Sequence, residues 1–367
     1  MRFLALALAL AAAAAHADSS NAIIRLLNSR ASGSPRGYAE AAAEVARDAE
    51  AGKPLQQFVL ALVATEPDAP PAARMTAERR KEYLDQSRGR IRALAEQKDN
   101  ALAWYLLSLE ENDLKMLRRA ADGGNIQALN AWGTITLTQA LSNHGVKTND
   151  IGRILTKSFG YFKRAAAEKD PNGIYNVGMC YLNGYGVDRD PDKAYECFRT
   201  AAEAGHPEAI NNLGGFYRDG VVVDRDPVAA VRWFRRSAEM ENPYGELNYG
   251  LALQRGEGVA PDAARAVALF RDASAKGSPE AMNALGMCLY RGEGAGKDEA
   301  AAVALYRRAA SLGYPPAMEN LAAAYELGFG GIPKDSAMCK VWKIRALAAR
   351  GDRNAAAWLI QNGHSLR

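Results

Sequence analysis

Apolar residues recur along most of the chain at the three- and four-residue spacing of amphipathic helices, and polar turns separate these segments. In one such segment Val231, Phe234 and Ala238 share one side of a helix, whereas Arg232 and Arg235 share the other. Aromatic residues make up only 8% of the chain and alanine is abundant, which favours closely packed helices over a β-rich core. The pattern therefore predicts an all-α protein.

The helical pattern repeats with a period of 36 residues, which is typical of solenoid proteins. Three series of positions share this period: one lies inside a predicted first helix, one closes that helix, and one marks the end of each unit. The series are Gly178, Gly214, Gly250, Gly286 and then Ala322; Gly184, Gly220, Gly256, Gly292 and Gly328; and Gly205, Glu241, Gly277, Gly313 and, two residues late, Gly351. Three series with one period indicate a true structural repeat.

Each unit is predicted to form two helices, as the segment Pro207–Asn242 shows. Glu208–Tyr217 forms the first helix and Gly220 ends it, because glycine readily adopts the left-handed conformation of a helix end. Asp226 and Pro227 then begin the second helix as N-cap and first helical residue. Glycine inside the first helix costs about 1 kcal/mol relative to alanine, which predicts that the helices cross closely there. One hairpin cannot bury its own apolar face, so the units are predicted to stack.

The chain before Pro171 follows the same plan with irregular spacing. Unit-end turns are predicted at Gly52, Lys98, Gly124 and Lys169. The first-helix patterns that follow the first three turns are Pro54–Ala64, Asn100–Leu109 and Ile126–Ala140, and the polar insertions are Glu66–Ala73 and Asn143–Asp150. These units are therefore expected to be degenerate versions of the later ones.

The first 17 residues have the pattern of a secretory signal peptide. Arg2 supplies positive charge, Phe3–Ala14 is an uncharged apolar run, and Ala15-His16-Ala17 fits the cleavage pattern. The sequence therefore predicts a periplasmic or secreted protein that is cleaved after Ala17. The predicted organisation is a signal peptide over 1–17, an N-terminal helical cap over 18–53, degenerate helical repeats over 54–170, five regular repeats over 171–352 and a C-terminal capping helix over 353–367.

Several stretches of the regular repeats resemble the Sel-one-like repeat (SLR) family. They are residues 281–294 (AMNALGMCLYRGEG), 181–187 (YLNGYGV), 192–194 (DKA) and 201–205 (AAEAG). The resemblance covers five units from Pro171 to Gly351. It implies an α/α superhelical solenoid of tetratricopeptide-like helical hairpins, and a role in protein–protein binding without intrinsic catalysis. Val222 departs from the pattern in place of a loop glycine, and Ala322 in place of a helix glycine.

Composition and motifs argue against several other function classes. The formal net charge of +4 is too small for a dedicated nucleic-acid binder. No segment after the signal peptide reaches the ~20 apolar residues of a membrane-spanning helix. The histidines are too few and too widely spaced for a metal site, and the serine motifs of penicillin-binding enzymes and α/β-hydrolases do not occur. We therefore predict no cofactor, no metal site and no catalytic residue.

One polar position keeps the period of the repeat, two residues before the in-helix glycine. In the tetratricopeptide-like superhelices that the chain resembles, this position faces the concave groove, where asparagines hold the backbone or terminal carboxylate of a bound peptide. An asparagine amide both donates and accepts, which suits a peptide backbone, and arginines seven residues later could clamp a carboxylate. The alternative is that the asparagines only bridge neighbouring helices. The predicted peptide-binding residues are Asn176, Asn211, Asn212, Tyr244, Asn248, Arg255, Asn283, Arg291 and Asn320.

The four cysteines allow one disulfide hypothesis. Cys180 and Cys197 lie on the two predicted helices of one hairpin, and an exported protein favours oxidation. The alternative is that these two, together with Cys288 and Cys339, are buried apolar residues.

Two functional hypotheses from different classes follow from the sequence. The leading one is an exported, non-enzymatic scaffold that binds a protein or peptide partner in its concave groove. The alternative is a cell-wall or peptide hydrolase that uses carboxylates on the solenoid surface, and a spacer that binds nothing is a third. The sequence names neither the partner nor the oligomeric state.

Overall fold

A computed structural model of the chain describes residues 35–51, 53–64, 69–142 and 148–364. The predicted signal peptide and the predicted turn at Gly52 lie outside these residues. Within them the chain forms eighteen α-helices, one 3-10 helix (Pro71–Ala73) and no β-strand. The helices before the regular repeats are α1 (Pro35–Glu50), α2 (Pro54–Val63), α3 (Ala77–Lys98), α4 (Ala101–Glu111), α5 (Leu114–Asp122), α6 (Ile126–Ser142) and α7 (Thr148–Ala167). In the described part of the chain no helix has both the length and the apolar character to cross a membrane.

The next ten helices form five consecutive pairs, which we call repeats 1 to 5. Each repeat has a first and a second helix, and a last helix follows repeat 5. The pairs are α8 (Pro171–Asn183) and α9 (Pro191–Glu203), α10 (Pro207–Asp219) and α11 (Pro227–Glu239), α12 (Pro243–Arg255) and α13 (Ala263–Ala275), α14 (Pro279–Arg291) and α15 (Glu299–Ser311), and α16 (Pro315–Leu327) and α17 (Ser336–Ala349), followed by α18 (Arg353–Gln361).

Local capping explains where the helices of a repeat begin and end. Gly220 follows α10 in the left-handed conformation (φ 69°). The N–H of Asp226 donates to the carbonyl of Tyr217 at 2.9 Å, which ties the loop to α10. The Asp226 side chain then caps α11 by accepting from the backbone N–H groups of Val228 and Ala229. These contacts confirm the boundaries predicted from Gly220 and from the Asp226-Pro227 pair.

The turns between successive helical pairs place a left-handed residue directly before the N-cap of the next helix. Lys169 and Glu241 adopt this conformation although they carry side chains, each with φ 58°. The prediction for Lys98 is wrong by one residue, because Lys98 is the last residue of α3 and Asp99 is left-handed (φ 44°). Asn100 is the residue that caps α4, so the turn must come immediately before it. The glycines in the same role are Gly124, Gly205, Gly277, Gly313 and Gly351.

The chain also divides into two larger compact parts, each of many helices, which we call the first and the second unit. The first unit ends at Cys197 and the second starts at Phe198, within α9. The first unit has its main core among α1 to α7, where Phe58, Tyr105, Leu106 and Leu107 are almost completely buried. A smaller cluster contains Phe162 of α7 and residues of α8. The helices before the regular repeats thus bury an apolar core of their own despite their irregular spacing.

In the second unit, an aromatic ring of the second helix packs onto the in-helix glycine of the first helix. A Cβ added at Gly214 would lie 2.5 Å from Cε1 of Phe234. The same arrangement recurs in repeats 3 and 4, where Phe270 covers Gly250 and Tyr306 covers Gly286. The three rings are buried. This packing confirms the close helix crossing that the periodic glycines predict.

Two adjacent glycines of α10 offer a direct test of this packing. We expect Gly214→Ala to lower the free energy of unfolding by about 1–2 kcal/mol, because the clash with the Phe234 ring outweighs the gain in helix propensity. Gly215→Ala is the matched control, since its added Cβ would meet no atom within 4 Å, and it should stabilise the protein by about 0.5–1 kcal/mol. Denaturant unfolding of both variants measures whether the free energy of unfolding falls in Gly214→Ala and rises in Gly215→Ala. Equal changes in the free energy of unfolding would show that the Phe234 ring does not exclude a Cβ at Gly214.

Candidate functional site

Asparagine side chains join the first helices of successive repeats in the second unit. Helix α10 contacts α12, and α14 contacts α16. At the first contact Nδ2 of Asn248 donates to Oδ1 of Asn211 at 2.9 Å. At the second, Nδ2 of Asn320 donates to Oδ1 of Asn283 at 2.7 Å. In both bonds the acceptor lies one repeat position before the donor. Because each bond joins two first helices, these four asparagines help to hold the helices together.

A related set of bonds occurs within the first unit. Nδ2 of Asn176 donates to Oδ1 of Asn130 at 3.4 Å, and Nδ2 of Asn130 donates to Asp170 at 2.8 Å. Asp170 also caps α8 by accepting from the N–H of Gly173 at 2.7 Å. Burial raises the pKa of the Asp170 carboxyl. Asn176 is therefore connected to a buried helix cap, and Asn130 is a partner that the 36-residue period does not reveal.

The asparagines of the second unit keep hydrogen-bonding capacity beyond these bridges. An asparagine side chain has two N–H donors and a carbonyl acceptor. Asn211 is a half-buried residue that uses only its carbonyl, and its Nδ2 group has no acceptor among the described residues. Asn212 is also half-buried on α10. Tyr244, at the start of α12, is 52% exposed. These first helices therefore present a polar, partly accessible surface. We call it the first-helix face and define it by Asn211, Asn212, Tyr244, Asn248, Asn283 and Asn320.

The two predicted arginines lie at the ends of first helices and are both exposed. Arg255 is 3.9 Å from Glu257, and Arg291 is 3.8 Å from Glu293. Ion pairs of this length between exposed side chains contribute little to stability. Each arginine therefore neighbours a carboxylate of its own loop.

Sequence reasoning missed Arg218, which contacts the predicted site directly. Its Nη1 donates to Oδ1 of Asn248 at 3.5 Å. Arg218 lies one position before the repeat position that Arg255 occupies, so a search restricted to that position passes over it. The available signal was an arginine four residues after Gly214, on the same side of α10.

The cysteines are free thiols in the structure, including the pair for which a disulfide was considered. Cys180 is buried and Cys197 half-buried, and both belong to the apolar cluster around Phe162 and Val177. Burial raises the pKa of Cys180 to about 12. Burial also raises the pKa of Cys197. Both therefore behave as small apolar side chains in this structure. Across the described residues, no group of three or more His, Cys, Asp or Glu side chains could hold a metal ion.

Comparison with known families matches the regular repeats one by one. The sequence model of the Sel1 repeat matches residues 171–206, 207–242, 243–278, 279–314 and 315–347. The chain belongs to the Sel1 repeat family. Each matched segment starts at the proline that opens a first helix, so the Sel1 repeats coincide with repeats 1 to 5. The predicted fold class, an α/α solenoid of helical hairpins, is confirmed.

Solved Sel1 repeat structures resemble this chain. A Sel1 repeat protein from Oxalobacter formigenes is 25% identical with a TM-score of 0.51, over 69% of this chain and 93% of that one. The protein c5321, a protective antigen present in uropathogenic Escherichia coli strains, displays an SLR fold; it is 25% identical with a TM-score of 0.50, over 86% of this chain and 66% of that one. The match thus spans about two thirds of c5321. No curated protein matches the chain.

Proposed function

We propose that this Sel1 repeat protein is an exported, non-enzymatic scaffold that binds a peptide segment of a protein partner along the first-helix face of repeats 2 to 5. A repeat scaffold of this family suits protein–protein interaction. The observation that carries the more specific proposal is the alignment of Asn211, Asn248 and Tyr244 on contacting first helices. Export rests on the signal-peptide pattern of residues 1–17. No feature of the described residues supports the hydrolase alternative.

The first-helix face has the chemistry that an extended peptide requires. The unused Nδ2 donor of Asn211 can bind a peptide carbonyl. The bond from Asn248 fixes the Asn211 side chain in place, so little conformational entropy is lost when a peptide binds. Tyr244 adds an exposed aromatic surface with a polar hydroxyl, a combination enriched at the centres of interfaces. The bridging bonds and the proposed binding role therefore support each other.

A selection from displayed random peptides tests the proposal on the purified full-length chain. We expect enriched peptides whose affinity falls about tenfold in the variant Tyr244→Ala, with an unchanged melting temperature because the side chain is exposed. The matched control is Leu347→Ala on α17, a second helix, where the side chain is 46% exposed; it should leave affinity unchanged. The proposal fails if no peptide is enriched, or if Tyr244→Ala binds the enriched peptides as tightly as the wild type.

A further inference from the structure

A small cavity lies between repeats 2 and 3, at the end of the first-helix face. Its volume is about 40 Å³, which is room for about three water molecules or one carboxylate group. Polar side chains line one part of it and apolar side chains the other. The residues that matter for its chemistry are Arg218, Arg225, Phe234, Asn248, Arg255 and Glu257.

The position of Arg218 is fixed from several directions. Its guanidinium forms a two-bond contact with Asp219, at 2.7 and 2.8 Å. It also donates to Asn248 at 3.5 Å and lies 5.9 Å from the centre of the Phe234 ring. Because these contacts limit its motion, Arg218 forms a preorganised wall of the cavity.

The other two arginines have donors to spare. Nε of Arg225 donates to the carbonyl of Arg218 at 3.1 Å, and this bond holds the Arg225 side chain against the end of α10. Its two terminal nitrogens have no ion-pair partner among the described residues. Arg255 has only the distant contact with Glu257 at 3.9 Å. Three arginines therefore face two carboxylates, those of Asp219 and Glu257, and the cavity keeps an excess of positive charge.

This arrangement is not a requirement of the repeat. At the position of Arg218, repeats 3, 4 and 5 have Gln254, Tyr290 and Glu326. At the position of Arg225, repeat 3 has Pro261 and repeat 4 has Lys297, whereas repeat 1 has Arg189, which makes the same bond to the end of its first helix. No other pair of neighbouring repeats has arginine at all three positions, so stacking of the hairpins does not explain the combination.

We propose that the cavity between repeats 2 and 3 binds a carboxylate of the peptide partner, with Arg225 and Arg255 as its principal donors. The planar guanidinium group binds a carboxylate through two parallel hydrogen bonds. Apolar walls, including Val231 and Leu251, keep water away from one side of the cavity and strengthen the attraction. The inference rests on the proposed function, because it assumes that a peptide lies along the first-helix face. The carboxylate comes from the peptide's C-terminus or from an Asp or Glu side chain.

Synthetic forms of one displayed, enriched peptide identify the carboxylate. The unmodified peptide is compared with its C-terminal amide and with versions in which each Asp or Glu is replaced by Asn or Gln. We expect one of these changes to weaken binding to the wild-type chain by about 10- to 100-fold. Loss in the amide points to the chain end, and loss in an Asn or Gln version points to that side chain.

The protein side of the test uses the double variant Arg225→Gln and Arg255→Gln. It should bind the unmodified peptide about 10- to 100-fold more weakly than the wild type, and it should bind the carboxylate-deficient peptide as the wild type does. The double variant Arg307→Gln and Arg308→Gln, which removes two exposed arginines of α15, is the charge-matched control and should have no effect. Unchanged melting temperatures establish that the variants are folded.

The two proposals fail in different ways. If peptides bind and Tyr244→Ala weakens them, but no carboxylate change or arginine change does, the carboxylate pocket is wrong and the peptide-binding function stands. If no peptide is enriched, the proposed function fails and the pocket proposal fails with it.

Discussion

Replacing Lys276 with methionine is expected to lower the free energy of unfolding by about 3 kcal/mol at pH 7, because the substitution leaves the Glu246 carboxylate buried without a counter-charge. Glu246 lies on α12 and is only 4% exposed. Nζ of Lys276, at the end of α13, donates to its Oε1. The second oxygen, Oε2, is buried without a hydrogen-bond partner in the described structure. The carboxylate therefore depends on one lysine.

Internal repetition supplies the control for this prediction. The position of Glu246 is occupied by Ile210 and Met282 in the neighbouring repeats, and that of Lys276 by Met240 and Leu312. The double variant Glu246→Met and Lys276→Met therefore installs residues that the same fold already uses. It should be as stable as the wild type or more so, because exchange of a buried ion pair for apolar side chains is often neutral or stabilising. Denaturant unfolding of the single and double variants gives the comparison. Equal losses in both would show that Lys276 contributes through packing alone.

The pH dependence of the single variant adds a second readout. Burial raises the pKa of Glu246, and removal of Lys276 removes the attraction that opposes this shift. A carboxyl group with a raised pKa in the folded state destabilises the fold when it is ionised. The loss in Lys276→Met should therefore shrink as the pH falls and the carboxyl group becomes protonated.

Helix boundaries could be predicted from the sequence because they depend on local chemistry. Gly220 and the Asp226-Pro227 pair determine them through backbone conformation and capping alone, and the structure agrees at each. The turn predicted at Lys98 lies one residue later, at Asp99, because Asn100 caps α4 and the left-handed residue directly precedes the cap. Local signals therefore suffice for the hairpin, provided that the N-cap is identified first.

Stacking also imposes conformations that residue preferences do not predict. Val222 occupies a position that is glycine in other repeats, yet it keeps the left-handed conformation with φ 70°. A β-branched residue rarely adopts this conformation. A Cβ added at the corresponding Gly258 of repeat 3 would lie 2.2 Å from the carbonyl oxygen of Pro227. The loop of one repeat therefore lies very close to the preceding repeat. Such tertiary contacts override the preference of the single residue.

The contacts of the candidate site could not be predicted in the same way. The 36-residue period identifies equivalent positions, but it does not say which position of one repeat touches which position of the next. Asn248 pairs with Asn211, which lies 37 residues earlier, and Arg218 reaches Asn248 from the preceding repeat. These pairings depend on how two helices are rotated against each other, and the rotation is set by side-chain packing across the whole interface.

His206 should make the fold sensitive to mild acid. His206 is 9% exposed and is the N-cap of α10, where Nδ1 accepts from the N–H of Ala209 at 3.3 Å. Burial lowers the pKa of His206 to about 4, from an ordinary value of 6.5. The Glu208 carboxylate, 3.4 Å from Nδ1, favours the charged form, but burial has the larger effect. Protonation of Nδ1 would also remove the acceptor on which the cap depends.

The sign of the pH effect follows from the lowered pKa. The unfolded chain binds a proton at His206 below about pH 6.5, whereas the folded chain resists it until about pH 4. Stability from this residue is therefore fully present above pH 6.5 and is lost as the pH falls through 4. The difference between these two pKa values corresponds to about 3 kcal/mol. Unfolding free energies measured at intervals from pH 7.5 to pH 4 should show this loss on top of contributions from other groups.

The variant His206→Asn separates this residue from those other groups. Asparagine already serves the same role in repeat 3, where Asn242 caps α12 by accepting from the N–H groups of Tyr244 and Gly245 at 3.0 and 3.1 Å. The amide does not titrate, so the variant should lose about 3 kcal/mol less than the wild type between pH 7 and pH 4. His364→Asn, after the last helix, is the control and should follow the wild-type curve. If His206→Asn also follows that curve, the acid sensitivity of the fold lies elsewhere, and His206 acts only as a cap.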